Sequence, residues 1–380
     1  MKKLTIIVTV PVVLETWLKG QAKFLSQFYN VEIITSYSQN IENIAKFENV
    51  KITTIEFTRK INPLKDLYIL GKLFLYIRSS KSDIVYTLTP KAGLLGMIAS
   101  WMARIPCRIH NVVGLPHLEA TGIKKMILVM TEKITYFFAS HLYSNSKNLA
   151  TIVSKLSKKN IGVIGQGSVN GVDTKVFQQS LSDKEKDSIR RSLSFSKKDF
   201  VITYIGRIVN DKGINELLGA FIKLSKEFSY VKLLLIGDYY SETDAISDTK
   251  KRIIYEHHAI KYLEFQEDIK NYLEISNLFV LPSYREGLPN VLIEAGSYGI
   301  PLVATNINGC NEIIENEENG LLVEKKNTKS LYHAIHRLIE DEKFYNKVKS
   351  NVRKSIVDKY EQKYFWDSLI KEFQKIENNK

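Results

Sequence analysis

The sequence predicts an α/β protein built from two doubly wound, Rossmann-like parallel-sheet domains whose strand ends face a shared cleft. Three observations lead there. Short β-branched runs alternate with stretches of helical periodicity along most of the chain, the rhythm of βαβ units whose helices cover both faces of a parallel sheet. That rhythm breaks once in the middle and then resumes, which favours two sheets over one barrel. Finally, 380 residues at roughly 150 per domain make two to three domains, each large enough to bury a core without disulfides or metal. A chain that is 44% hydrophobic and 25% charged is an ordinary globular one, which excludes disordered, collagen-like and coiled-coil classes.

Met1-Lys2-Lys3 and the apolar run after it superficially match a secretory signal. The run is rich in Ile, Val and Thr, has no small-x-small cleavage site and leads straight into Glu15-Thr16-Trp17-Leu18-Lys19. A first strand over 5–10 explains it better. Further strands are expected at 32–35, 50–57, 84–88, 108–113 and 141–143, with helices near 16–29, 65–80, 91–103, 123–139 and 146–157 between them. Glycines and Asn-Gly then mark turns in Gly165-Gln166-Gly167-Ser168 and Asn170-Gly171-Val172-Asp173, and the polar run 180–198 reads as linker plus a short surface helix. The second series has strands at 200–205, 231–236, 260–265, 278–281 and 301–304, with helices near 212–227, 268–275 and 289–299. The expected boundaries are a first domain over 1–173, a linker over 174–198 and a second domain over 199–357. Beyond about residue 327 the chain is helical and charged, and it carries Tyr360, Tyr364, Phe365 and Trp366. A terminal helix over 358–380 with that aromatic stripe needs a surface to dock on. No stretch approaches the roughly 20 apolar residues of a membrane span, so a soluble or peripheral protein is expected.

The formal charge is +13. Residues 1–173 hold 22 Lys and Arg against 10 Asp and Glu, and the remainder holds 32 against 31. Nearly all the surplus therefore lies in the first half, which implies an anionic partner for that half: nucleic acid, a membrane surface or a phosphorylated substrate. Cys107 and Cys310 are the two cysteines. They can make neither a disulfide framework nor a four-ligand zinc site, and a reducing, cytosolic setting suits them.

In open parallel sheets ligands sit at the carboxyl ends of the strands, so residues that do chemistry belong just after strands. After the strand at 200–205 comes Gly206-Arg207-Ile208-Val209-Asn210-Asp211-Lys212-Gly213. Arg207 at a strand end and Lys212 opening the next helix make a diphosphate site, because Arg binds bidentately, Lys adds a point charge and helix amides add donors. The next strand ends in Gly237-Asp238, where glycine permits close backbone approach. The run Leu281-Pro282-Ser283-Tyr284-Arg285-Glu286-Gly287-Leu288-Pro289-Asn290-Val291-Leu292-Ile293-Glu294-Ala295 is the most informative. Pro289 suits the first turn of a helix, which leaves Glu286 in the loop and Glu294 within the helix. A helical carboxylate facing a cleft accepts bonds from two adjacent hydroxyls, as on a nucleotide ribose. Glu286, with the amides of Gly287 and Leu288, can hold the hydroxyls of a sugar.

These motifs, Gly-Arg followed by Lys-Gly and then Pro-Ser-x-x-Glu-Gly-x-Pro-x-x-x-x-Glu-Ala, with Gly-Ile-Pro-Leu-Val-Ala-Thr over 299–305, resemble the donor domain of glycosyltransferase family 4. Its members are retaining, nucleotide-sugar-dependent enzymes of the GT-B fold. The first half resembles a bacterial branch that assembles capsule, O-antigen and related glycans on polyprenyl diphosphate. The matching stretches are Trp17-Leu18-Lys19-Gly20-Gln21, Thr89-Pro90-Lys91-Ala92-Gly93-Leu94-Leu95-Gly96 and Gly167-Ser168-Val169-Asn170-Gly171-Val172-Asp173. The resemblance implies donor contacts from Gly206, Arg207, Lys212, Glu286, Gly287, Leu288 and Glu294. Of these, Arg207, Lys212 and Glu286 would act in catalysis: the two cations stabilise the departing diphosphate and Glu286 holds the donor sugar. It implies no cofactor and no bound metal, in keeping with the lack of an Asp-x-Asp motif. It also implies that the terminal helix crosses back onto the first domain.

The chain departs from the family pattern in three places. Val113, in Asn111-Val112-Val113-Gly114-Leu115-Pro116, stands where many relatives have a histidine, with His110 and His117 as the nearby substitutes. Leu263-Glu264-Phe265-Gln266-Glu267-Asp268 lacks the glycine usual after the base-contacting strand, and the loop 10–16 lacks the paired glycines of some members. On the acceptor side, Lys91 stands where it can meet an acceptor diphosphate. Lys124 and Lys125, within Ile123-Lys124-Lys125-Met126-Ile127-Leu128-Val129-Met130, mix with apolar residues as in an interfacial helix.

The expected function is transfer of a hexose or N-acetylhexosamine from a nucleotide diphosphate sugar, UDP-linked by expectation, to a polyprenyl-diphosphate-linked saccharide. The enzyme is expected to be cytoplasmic and peripheral on the inner membrane, its basic first domain held against an anionic surface. Alternatives are a soluble acceptor, a sugar-nucleotide epimerase of the same fold, and, from charge alone, a nucleic-acid-binding protein. No aromatic-basic strand motif, zinc finger or helix-turn-helix supports the last, and no nucleic-acid partner is expected. A dehydrogenase is disfavoured because no strand leads into Gly-x-Gly-x-x-Gly.

Overall fold

The computed structural model describes residues 1–58, 62–239 and 244–378. The chain forms two compact units, Met1–Gly171 together with the terminal helix Gln362–Asn378, and Val172–Glu361.

The first unit holds a seven-stranded sheet: β1 (Lys3–Ile7), β2 (Asn30–Thr35), β3 (Lys51–Thr54), β4 (Ile84–Thr87), β5 (Cys107–Val112), β6 (His141–Ser144) and β7 (Gly162–Val163), in the order β3-β2-β1-β4-β5-β6-β7. Every pairing is parallel. Alternation along β1 sends Leu4 and Ile6 to one core with Leu25, Tyr86 and Phe373, and Ile7 to the other with Ile34, Leu73 and Val85. Several expected elements end early, among them the strand expected over 50–57, which is β3 and stops at Thr54. β1 stops at Ile7 because the N–H of Thr9 turns to Thr89 Oγ1 at 3.1 Å. The helix expected at 16–29 becomes Val12–Thr16 and Gln21–Leu25, broken at Gly20, whose φ is +80°. The strand β7 escaped the sequence reading because two residues carry no periodicity.

The second unit holds β8 (Phe200–Ile205), β9 (Val231–Ile236), β10 (Ile260–Leu263), β11 (Leu278–Leu281), β12 (Leu302–Thr305) and β13 (Gly320–Val323), in the order β10-β9-β8-β11-β12-β13. This sheet too is wholly parallel. Its order reverses between β8 and β11, the crevice where doubly wound sheets bind ligands. Phe221, Phe279, Leu235, Leu292 and Val303 fill its main core.

The stretch 174–198, expected as a linker, is built into the second unit. Ser180 N and Oγ and Leu181 N all donate to the Glu274 carboxylate. Ser182 and Glu185 form a capping box on the helix Asp183–Ser192. From that helix Arg190 donates to the carbonyls of Asp199 (2.8 Å) and Ile275 (2.7 Å). A polar composition reads as linker, yet here the polar groups are hydrogen-bonded to one framework.

The terminal helix also begins later than expected. Tyr360 ends the preceding helix, Glu342–Tyr360, and donates to Glu312 O in the second unit at 3.0 Å. Glu361 then takes an extended conformation and pairs with Thr174 Oγ1, and the new helix starts at Gln362. Its Phe365, Leu369 and Phe373 are buried in the first unit. Trp366 stacks on Phe24 with ring centroids 4.8 Å apart and donates to Asn170 Oδ1 at 2.7 Å. Residues 379 and 380 of the expected 358–380 helix lie outside the described residues.

Candidate functional site

The second unit gathers the motif residues at the carboxyl edge of its sheet, in the loops after β8, β11 and β12. After β8, Gly206 N–H still bonds to Ile236 O at 2.9 Å. Arg207 then leaves the sheet, with its carbonyl held by the buried Tyr204 hydroxyl at 2.8 Å. Lys212 does not open the following helix. It ends a 3₁₀ turn, Asn210–Lys212, and Gly213 separates that turn from the helix Ile214–Glu227. Gly213 has φ +71°, and a Cβ there would lie 2.0 Å from Pro282 O. Only glycine lets the β8 turn press against the β11 loop.

Two ion pairs tie these turns together. Lys212 Nζ stands 2.6 Å from Glu286 Oε1, and both side chains are largely buried. Asp211 Oδ2 accepts from Arg285 Nη2 at 2.9 Å, and its Oδ1 lies 3.9 Å from Arg207 Nη2. Tyr284 reinforces the join: its N–H donates to Asp211 O at 2.8 Å and its hydroxyl to Glu216 Oε2 at 2.7 Å. Three cations, Arg207, Lys212 and Arg285, thus surround two carboxylates. Arg285 drew no role from the sequence, because its partner Asp211 is 74 positions away.

Beyond Glu286, the N–H groups of Gly287 and Leu288 have no hydrogen-bond partner among the described residues. Pro289 lies one residue outside the helix, in an extended conformation, and the helix runs Asn290–Ser297. Glu294 lies in that helix and makes no hydrogen bond or ion pair with any described residue. Its surroundings are close enough that desolvation pushes its carboxyl up to about 7. Two free amides, cations beside a helix N-terminus and an unpaired carboxylate are a set suited to an anion bearing hydroxyls.

Other expected positions fall elsewhere. β10 ends at Leu263, two residues before the expected 265. Phe265 is exposed beyond it, and its N–H is held by Asp238 Oδ1 at 2.9 Å. In the first unit, Lys91 Nζ is 2.9 Å from Asp66 Oδ1 and 2.7 Å from Thr58 Oγ1. Lys124 and Lys125 are exposed on the helix Gly122–Phe138. His110 is buried, 2.8 Å from Thr87 Oγ1, and burial pushes its imidazole down to about 4. His117 Nδ1 stands 2.8 Å from Glu132 Oε2. Both histidines thus have partners within their own unit. No group of three or more His, Cys, Asp or Glu side chains is placed to hold a metal ion among the described residues.

The profile of the family described as Glycosyl transferases group 1 matches residues 185–355, which span this constellation. A capsular polysaccharide biosynthesis glycosyltransferase, CapM of Staphylococcus aureus, is 34% identical over 93% of this chain and 92% of its own. The chain belongs to the group 1 glycosyltransferases.

A second relative of the enzyme is the UDP-Gal:alpha-D-GlcNAc-diphosphoundecaprenol alpha-1,3-galactosyltransferase of Escherichia coli, 32% identical over 79% of this chain and 77% of its own. The solved structure of Anabaena HepE in complex with UDP and glucose covers 99% of the enzyme and the whole of that chain with a TM-score of 0.84 at 20% identity. That likeness shows the fold, and with the two parallel sheets it establishes the GT-B architecture of the enzyme.

Proposed function

We propose that the enzyme is a retaining glycosyltransferase. It moves a hexose or N-acetylhexosamine from a UDP-sugar to a polyprenyl-diphosphate-linked saccharide in surface polysaccharide assembly. The observation that carries this reading is the constellation of Arg207, Lys212, Glu286, Glu294 and the free amides of Gly287 and Leu288 at the switch point of the second sheet. As the sugar leaves, negative charge grows on the diphosphate. Arg207 and Lys212 stand ready to stabilise it, and preorganised charge needs no rearrangement at that moment. Lys212 is shared between that phosphate and Glu286, so the carboxylate that addresses the sugar is fixed beside the breaking bond. Glu294, once deprotonated, accepts from both ribose hydroxyls.

The acceptor half rests on the relatives and on charge. The names of the two relatives specify a capsular pathway and a diphosphoundecaprenol acceptor. In the first unit all residues from 121 to 127 are exposed, and Ile123, Met126 and Met130 are 74%, 66% and 62% exposed among Lys124, Lys125 and Lys133. That mixture suits the interface of an anionic bilayer, and no helix of the described residues is long and apolar enough to cross one. Lys91 and the two exposed lysines are the proposed contacts to the acceptor diphosphate.

Thermal-shift screening against UDP-glucose, UDP-galactose, UDP-GlcNAc and UDP-GalNAc should show stabilisation by at least one. Arg207→Ala and Glu294→Ala should each lower kcat/KM by about 10²- to 10³-fold with unchanged circular dichroism. Full activity in both variants would sink the donor-site reading.

A further inference from the structure

The loop that carries Glu286 is gripped from the neighbouring turn after β12. Asn308 Nδ2 donates to the carbonyl oxygens of both Glu286 and Gly287, each at 3.2 Å. Thr305 Oγ1 donates to Ser283 O at 2.5 Å. Gly309 has φ +81°, and a Cβ there would come 2.0 Å from Gly287 O, so the turn lies directly on the same peptide.

The two carbonyls that Asn308 holds are the partners, within their own peptide groups, of the two free amides. A peptide group is planar. Fixing the carbonyl of Glu286 therefore fixes the direction of the Gly287 N–H, and fixing the carbonyl of Gly287 fixes that of the Leu288 N–H. One side-chain amide thus aims two consecutive donors and the backbone that carries Glu286. We infer that Asn308 is a positioning residue of the donor site. It holds the Glu286–Leu288 backbone so that both amides and the Glu286 carboxylate converge on the donor sugar. The inference rests on the donor-site reading above and adds to it a residue outside the family motifs.

Asn308 Oδ1 is buried without a hydrogen-bond partner among the described residues. An unpaired buried acceptor detracts from stability, so the side chain is not placed to the best advantage of the fold. Its removal should disturb aim more than stability.

The experiment compares Asn308→Ala and the isosteric Asn308→Asp with the wild type by calorimetric titration of UDP and of whichever UDP-sugar stabilises the wild type, with melting curves of each. UDP lacks the sugar that the loop addresses. Both variants should bind UDP within about twofold of the wild type, since its contacts are elsewhere. Both should lose about tenfold or more in affinity for the UDP-sugar and in kcat/KM, a fraction of the loss from deleting a donor outright. Parallel weakening of UDP and UDP-sugar would mark Asn308 as merely structural and overturn the inference. So would unchanged UDP-sugar binding, or full retention by the aspartate variant, which keeps the shape without the donor. A wild type that binds no nucleotide at all overturns the donor-site reading itself, which is a different result.

Discussion

Glu294 shows what a single residue of this site costs and supplies. Its carboxyl is pushed up to about 7 from an ordinary 4.5 by desolvation alone. The folded protein therefore holds that proton more tightly than the unfolded chain does. Stability from this group is fully present below about pH 4.5, declines as pH rises through about 7, and is absent above it. Glu294→Gln removes the cost of burying the charge. The variant should be more stable than the wild type at pH 8 by about 2 kcal/mol or less, should match it near pH 4, and should bind UDP far more weakly. Urea denaturation at the two pH values checks the first part; equal stability at pH 8 would refute it. That Glu286 falls in a loop and Glu294 in the helix after it was legible in the sequence, because the Gly-x-Pro run marks where that helix begins. Arg285 and Asn308 were not, because a loop arginine and a turn asparagine acquire meaning only from partners distant in sequence, Asp211 and the Glu286 and Gly287 carbonyls.

At the scale of elements, the turn after β8 and the loop after β11 act as one part. Gly213 fits against Pro282 O, and Asp211 joins Tyr284 and Arg285. Gly213→Ala forces a Cβ into that contact at a positive φ, and should destabilise the second unit by about 2 kcal/mol or more. A denaturation midpoint unchanged from the wild type would show that the turn has slack. The strands β8, β9 and β11 were readable because buried parallel strands are continuous apolar runs. The ends of helices were harder. The helix was expected to start at Lys212, two residues before its true start at Ile214, because a 3₁₀ turn closed by a left-handed glycine has the same composition as a helix start.

For the whole molecule, the surplus behind the charge of +13 belongs to the first unit, whereas Arg207, Lys212 and Arg285 belong to the second. Each basic residue near an anionic surface adds about 1 kcal/mol of attraction, screened within a Debye length. The enzyme should float with phosphatidylglycerol vesicles at salt below about 0.1 M, where the Debye length is about 10 Å or more, and should separate from them near 1 M, where it is about 3 Å. Ile123→Ser, Met126→Ser and Met130→Ser combined should abolish flotation with little change in melting, since those side chains are already exposed. Absence of any lipid dependence would favour a soluble acceptor.

The fold class, the motifs after the strands of the second unit and the asymmetry of charge could be read from the residues alone, because each is written in local periodicity or spacing. Where the units divide emerges from long-range contacts. The polar stretch 174–198 belongs to the second unit through Glu274 and Arg190, and the terminal helix changes allegiance at Glu361. The same holds for the grip of Asn308 on the Glu286 and Gly287 carbonyls. One cause covers every case: a hydrogen bond between residues about twenty to nearly two hundred positions apart leaves no mark on the local pattern of either one.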